Sequence, residues 1–381
     1  MRIYENHALA PHTTMGIGGR AYKFIEAETP EDIVDALAMA QGESMPVFML
    51  GGGSNTLISD TGFNGYVIHP VFKHIEWLPQ EDGSTHVRID AGATFDDVVA
   101  ESCRRNLGGI EALSGIPGTA GGGLVQNIGA YGQEISECFV SARVIHLHDL
   151  DTLELNATHL AFGYRQTALK AAENPFIVTS VTLRLEPFDA DKAAARCAAH
   201  GFKRMAMTKP KSAESLRELV LETRRSKAMC YDPKDYNTRG VGSFFVNPVV
   251  SNVEAQRINA ASIIRNHKPM PSFVVDGGTK LSAAWLIEQA GFNKGYCYKG
   301  ASLSEQHCLA IVNRMNATCD QVIEFAKDIV TRVYLQFRIE LQPEVVYLSP
   351  VGVAPLPCSA KDAEVIGAPL RPNPLSSYRG F

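Results

Sequence analysis

The sequence reads as an α+β protein of two domains, with a glycine-rich first part and a second domain from about residue 211. Three observations carry that reading. The chain has 381 residues, 45% of them apolar and 20% charged, which is enough material for more than one core. Strand-like runs alternate with capped helices at first, strands dominate from about Gln126 to Arg184, and helices return after Ser212. Glycine is concentrated at 51–65 and 108–132, each stretch flanked by β-branched and apolar runs.

The elements follow in order. Ala21–Glu28 is a strand. Thr29-Pro30-Glu31-Asp32 opens a helix, with Thr29 as N-cap, Pro30 in the first turn and Ile33, Val34, Leu37 and Ala40 as its apolar face. Val47–Leu50 is a short buried strand that ends in Gly51-Gly52-Gly53. Thr94 starts a second helix through Val98, Val99 and Cys103, and Gly108-Gly109 stop it. ARVIHLHDL, THLAFGY and FIVTSVTLRLE then read as strands, broken by Pro187 and the Asp189–Ala199 stretch. Capping signatures predict three more helices, at Ser212, at Ser251 with Glu254, and at Thr318 with Gln321. The last of these turns Val322, Ile323, Phe325, Ala326, Ile329, Val330 and Val333 inward. Beyond Leu348 the chain is proline-rich and aperiodic, so 349–381 is expected to be a loosely held extension.

Composition excludes several classes of function. With 36 basic against 41 acidic residues the net charge is −5, so a general nucleic-acid or membrane-surface binder is a poor reading. No run of eighteen apolar residues occurs, and MRIYENHALAPHTTM lacks the apolar stretch of a secretory signal. Eight scattered cysteines without a C-x-x-C pair read as reduced thiols. A soluble cytoplasmic monomer is expected.

Two glycine patterns imitate nucleotide motifs. Gly16-Ile17-Gly18-Gly19-Arg20-Ala21 matches G-x-G-x-x-A, but a strand follows it where that fingerprint requires a helix. LGGGSNTL follows a strand but lacks the Gly-Lys-Ser/Thr of a P-loop. His146 and His148 share a strand face, yet no third metal ligand is near in sequence, and no metal is expected. LGGGSNTL and LSGIPGTAGGGLVQNIGAYGQ instead bring many backbone N–H groups together with few Cβ atoms in the way. Tight turns would explain single glycines, not Gly118 through Gly123. Two such cradles suit one large dinucleotide, such as FAD, held between two lobes.

These stretches resemble the UDP-N-acetylenolpyruvoylglucosamine reductase (MurB) family. The motifs run in order: HTTMGIGG (12–19), LGGGSNTLISDTGFNG (50–65), LSGIPGTAGGGLVQNIGAYGQEI (113–135), FGYR (162–165), RRSK (224–227), GSFFVNP (242–248), AAWLIEQAG (283–291) and LQPEV (341–345). The interval from Arg165 to Ser243 looks like that of the family's longer subtype. The resemblance implies a two-lobed FAD-binding domain of the vanillyl-alcohol-oxidase (PCMH) type over 1–210, its lobes at about 1–70 and 71–210. A separate α+β substrate-binding domain over 211–348 is implied too, its last strand returning to the FAD site.

The implied reaction is NADPH-dependent reduction of UDP-N-acetylglucosamine enolpyruvate to UDP-N-acetylmuramate, with non-covalent FAD between the two substrates and ping-pong kinetics. By resemblance, Gly51, Gly52, Gly53, Ser54, Asn55, Gly115, Ile116, Pro117, Gly118, Gly121, Gly122, Asn127, Gly129 and Ala130 hold the cofactor. Arg165, expected on the FGYR strand, grips the substrate carboxylate with its planar fork. Glu344 joins it as a protonated hydrogen-bond donor, and Ser243 delivers the proton to C2. Tyr131, Tyr164, Lys227, Asn247 and Gln289 contact substrate, and Arg224 shares the helical face of Lys227. A sugar or alcohol oxidase on the same FAD fold, or a binding module without turnover, are the alternatives. The GSFFVNP and LQPEV motifs argue against the oxidase, and the combination of Arg165, Ser243 and Glu344 argues against the module.

Overall fold

The computed structural model describes residues 1–171, 174–199, 202 and 208–360. Strands β1 (Arg2–Ala8), β2 (Arg20–Ala27), β3 (Val47–Met49) and β5 (Phe63–Pro70) form one sheet in the order β1-β2-β5-β3, with β2 and β3 both parallel to β5. The crossover from β2 to β3 is helix α1 (Pro30–Gly42). Its start is the one the sequence predicts: Thr29 Oγ1 accepts from Asp32 N, and Asp32 returns a carboxylate to Thr29 N. Ile33, Ala36, Leu37 and Ala40 are buried against Ile25, Tyr66 and Ile68 of the sheet.

The second lobe is an antiparallel sheet in the order β9 (Thr152–Asn156), β8 (Phe139–His146), β10 (Phe176–Pro187), β7 (Thr85–Asp90), β6 (Ile75–Pro79). Helices α2 (Phe95–Arg104) and α3 (Ala120–Val125) bring Phe95, Val98, Val99 and Leu124 onto Val87, Ile89, Val181 and Leu183. Thr94 stands at the α2 N-cap without a side-chain bond, and α2 ends at Arg104, ahead of Gly108-Gly109. Asn106, at φ +55°, takes the left-handed position that ends the turn.

The third core forms around α9 (Cys319–Phe337), whose Phe325, Ile329 and Val333 pack with Phe244, Phe245, Leu286 and Phe292. Thr318 and Gln321 close the predicted capping box. A carboxylate from the first lobe adds to this cap: Asp60 accepts from Cys319 N at 2.8 Å and Asp320 N at 3.1 Å. Placed on the positive end of the helix dipole, it pins the two domains together. Strand β17 (Val346–Ser349) then pairs in parallel with β4 (Thr56–Ile58) of the first lobe.

Four expectations are corrected. THLAFGY is not a strand: Asn156 Oδ1 accepts from Thr158 N and His159 Nδ1 accepts from Asn156 N, which starts the short helix α4 (Ala157–Leu160). Arg165 therefore lies in a turn bounded by the Gly163–Gln166 bridge, at φ +57°. The Asp189–Ala199 stretch is not a mere break but contains helix α5 (Ala190–Ala199). The boundary expected at 210/211 does not divide the contacts. Helix α6 (Ala213–Arg225) packs on α2, buries Ala213 in the second-lobe core and joins Arg217 to Asp96.

The fourth concerns the extension. β18 (Gly352–Ala354) pairs with β17, and Cys358 and Ala360 are buried in the third core, so the fold continues to 360. Residues 361–381 lie outside the described residues. All eight cysteines are free, and all but Cys230 are buried. Among the described residues, no helix is long and apolar enough to cross a membrane.

Candidate active site

A cavity of about 870 Å³ opens where both lobes and the third core meet. Its floor is made by the glycine loops. Gly53 has φ +60°, and a Cβ there would lie 2.0 Å from His12 O, so the HTTM segment packs directly on the loop. A Cβ on Gly52 would fall 2.7 Å from Gly118 Cα, so the two loops touch backbone to backbone. Ser54 Oγ donates to Pro117 O at 3.0 Å and locks that contact. Apolar side chains including Met49, Phe95, Ile116, Ile128, Phe176 and Val178 continue the wall.

These features fit a bound dinucleotide. The loops leave room for phosphates against main-chain N–H groups, the wall suits flat apolar rings, and the volume is within the range of cofactor sites. Gly51, Gly52, Gly53, Ser54, Asn55, Ile116, Pro117, Gly118, Gly121, Gly122 and Gly129 all line the cavity. Gly115, Asn127 and Ala130 are not among its lining residues. Asn127 is buried, and its side chain is used internally: Nδ2 donates to Glu134 Oε2 (2.9 Å) and Gly163 O (2.8 Å), while Oδ1 accepts from Ser136 N. It ties the Arg165 turn to the second glycine loop.

Arg165 is held at every guanidinium nitrogen. Nε faces Glu344 Oε1 at 3.2 Å, Nη1 donates to Asn127 O at 3.4 Å, and Nη2 donates to Gly129 O. Gln126 Nε2 donates to the same Glu344 oxygen at 3.1 Å. Glu344 Oε1 thus accepts both bonds. Lys170, a cavity residue the sequence reading missed, donates to Arg165 O at 3.3 Å. Burial pushes its ammonium below the usual value, with Arg165 adding to the effect and Glu344 opposing it. A lysine five residues after FGYR was the available signal for it.

Ser243 is presented by the turn at Gly242, φ +72°, and lines the cavity. Phe244 and Phe245, their rings edge to face with centroids 5.1 Å apart, are buried in the third core and anchor the segment: Phe244 N donates to Leu309 O, and Glu344 N donates to Phe244 O at 2.9 Å. Ser243 and Glu344 are therefore set by one pair of bonded segments. Tyr164 is 44% exposed, with Arg165 Cζ 5.2 Å and Lys280 Nζ 4.7 Å from its ring centroid. Asn247 lines the cavity, although its Oδ1 also accepts from Ala283 N at 2.9 Å.

Tyr131, Lys227 and Gln289 lie outside the lining of this cavity. Tyr131 stacks on Phe202 with centroids 4.5 Å apart, and burial raises its phenol pKa against the pull of Arg224. Gln289 is the last residue of the helix Ala283–Gln289. Burial, reinforced by Arg224, lowers the Lys227 ammonium. Burial, then Lys227 and Lys294, push His307 down to about 4. Lys227 and Lys294 thus lie near His307, and Arg224 lies near Lys227, a cationic neighbourhood that favours an anion. Lys294 and His307 carried no signal in the sequence reading.

Comparison with known proteins agrees with the geometry. Residues 232–348 match the family model "UDP-N-acetylenolpyruvoylglucosamine reductase, C-terminal domain", and 22–149 match "FAD binding domain". UDP-N-acetylenolpyruvoylglucosamine reductases of Saccharopolyspora erythraea and Mycobacterium tuberculosis are each 37% identical to this chain. They cover 89% and 91% of it, and 94% and 95% of their own lengths are matched. The crystal structure of the enzyme from Thermus caldophilus superposes with a TM-score of 0.62 at 25% identity, covering 91% of this chain and 99% of that one. The chain belongs to the UDP-N-acetylenolpyruvoylglucosamine reductase (MurB) family.

Proposed function

We propose that this chain reduces UDP-N-acetylglucosamine enolpyruvate to UDP-N-acetylmuramate, with NADPH as reductant and FAD as a non-covalent cofactor. The observation that carries the reading is the convergence of Arg165, Glu344 and Ser243 on the wall of a cavity whose floor is two Cβ-poor loops. The loops at 51–55 and 116–122 would hold FAD, which would supply hydride-transfer chemistry between NADPH and the terminal vinyl carbon of the substrate. Among the described residues lining the cavity there is no cysteine or histidine to bond a flavin ring, which supports non-covalent binding.

The chain's own residues supply the rest. Arg165 carries a fixed positive charge to the substrate carboxylate, where negative charge grows as hydride arrives. Its three-point hold means the guanidinium need not reorganise during the reaction. Ser243 gives C2 its proton; a hydroxyl is a weak acid, but the carbanion-like acceptor is strongly basic. Arg224, Lys227 and Lys294 balance the diphosphate, and Tyr131, Tyr164, Asn247 and Gln289 orient the nucleotide and sugar. NADPH and the enolpyruvyl substrate present to the same cavity in turn, giving ping-pong kinetics.

The test is NADPH oxidation under anaerobic conditions with purified protein. Turnover should require UDP-N-acetylglucosamine enolpyruvate. NADPH oxidation that needs oxygen and no enolpyruvyl ether would replace this reading with an oxidase.

A further inference from the structure

Gly115 lies where the second glycine loop meets α6. Its N–H donates to Asp96 Oδ1 at 2.6 Å, and its carbonyl accepts from Arg224 Nη2 at 3.4 Å. Asp96 is held by a forked pair with Arg217, Nη1 to Oδ1 at 2.6 Å and Nη2 to Oδ2 at 2.8 Å. Burial works to raise the Asp96 carboxyl, but Arg217 and the Gly115 N–H outweigh it and hold the group below its ordinary value. Arg217 and Arg224 are two helical turns apart on α6, so one helix face holds a single residue on both sides, its N–H through Asp96 and its carbonyl directly. Arg224 Nη2 also donates to Met229 O at 2.7 Å, fixing the turn that carries Lys227.

The fit leaves no slack. Gly115 has φ +74°, and a Cβ there would lie 2.8 Å from Leu221 Cδ2 and 2.9 Å from Cys230 Sγ. The next three residues, Ile116, Pro117 and Gly118, line the cavity, as does Arg224. A shift of Gly115 therefore moves the cavity floor and the cationic segment together.

We propose that Asp96 and Arg217 are positioning residues that couple the cofactor loop at 115–118 to the cationic segment at 224–227, so that the flavin and a nucleoside diphosphate each tighten the other's binding. This rests on the reading above that Arg224 and Lys227 meet the diphosphate. Such coupling is reciprocal, and a coupling between sites is commonly worth about 5–150-fold. An ion pair that served only to hold α2 to α6 would lower the melting temperature and leave the two ligands independent.

The experiment uses the full-length holoenzyme and UDP as probe. FAD release after dilution is followed by the return of flavin fluorescence, with and without saturating UDP, and UDP affinity is measured by calorimetry. In the native chain UDP should slow release by about fivefold or more. In Asp96→Asn, which keeps the shape, and Arg217→Lys, which keeps the charge and loses the fork, UDP should still bind, but the slowing should shrink to less than about twofold. Binding of UDP without any effect on FAD release in the native chain overturns the coupling alone. Equal slowing in the native chain and both variants also overturns it. Failure of UDP to bind the native holoenzyme overturns the coupling and the diphosphate reading together.

Discussion

Glu344 reaches Arg165 across the domain junction, Oε1 to Nε at 3.2 Å, and the same oxygen also accepts from Gln126. The carboxylate thereby orients a guanidinium carried by a turn of the other domain. Arg165→Lys keeps the charge and loses the fork, so kcat/KM for the enolpyruvyl substrate should fall by about 10²–10³. Glu344→Gln should cost less, and the double variant should cost less than the two singles combined, because the second change removes a contact already broken. Steady-state kinetics on the three variants measures this; strict additivity would mean that the pair does not act as a unit.

Ser243 is predicted to act after flavin reduction and not before it. Ser243→Ala should be bleached by NADPH at close to the native rate. Reoxidation by the enolpyruvyl substrate should slow by about 10²–10⁴, the usual worth of a general acid. Ser243→Cys should recover part of that loss. Stopped-flow absorbance resolves the two half-reactions; equal slowing of both at full flavin occupancy would leave Ser243 as a turn residue only.

His307 makes stability depend on pH. Its ring is held neutral in the fold down to about 4, against 6.5 ordinarily, and its Nδ1 accepts from Leu309 N. Between those values the unfolded chain binds the extra proton, so this contribution is complete above about pH 6.5 and is lost as pH falls toward 4. At about 1.4 kcal/mol per pKa unit the loss is at most about 3.5 kcal/mol. His12, also lowered by burial, changes stability with pH in the same direction, so the readout is a comparison with the native chain. Urea unfolding of His307→Asn should show a smaller drop in midpoint between pH 7.5 and pH 5 than the native protein shows. Parallel pH profiles would remove His307 from the account.

Truncation after Pro350 tests the corrected reading of the extension. It removes β18, the buried Cys358 and Leu356, which packs on the third core, together with cavity residues 353–356. A loss on the order of 2–4 kcal/mol is expected from the apolar burial alone. Gel filtration should show the flavin separating from the shortened protein, whereas full retention with an unchanged melting temperature would make residues 351–360 dispensable.

Much of the fold was legible because its determinants are local. Thr29 with Asp32, Ser212 with Ser215, and Thr318 with Gln321 start helices through bonds that span three residues, and such bonds show in any short window. The same locality misled at THLAFGY, where Asn156 and His159 offer a cap that outweighs the strand-like composition. α6 was found as a helix but assigned to the wrong neighbour, since nothing within it reveals that Arg217 pairs with Asp96.

By itself the sequence determined the glycine loops, the helix starts and the order of the family motifs. These depend on which residues lack a Cβ, can cap a helix or keep a spacing, and none needs a distant partner. The tertiary structure alone decided that Asp60 caps α9 from 259 positions away, that Asn127 is an internal tie, and that Glu344 accepts from Arg165. A carboxylate or an amide has the same hydrogen-bonding groups wherever it stands in the chain; its role is set by which donors and acceptors the packing of the cores brings within 3 Å or so, and for these residues those partners come from elements that only the folded core brings together.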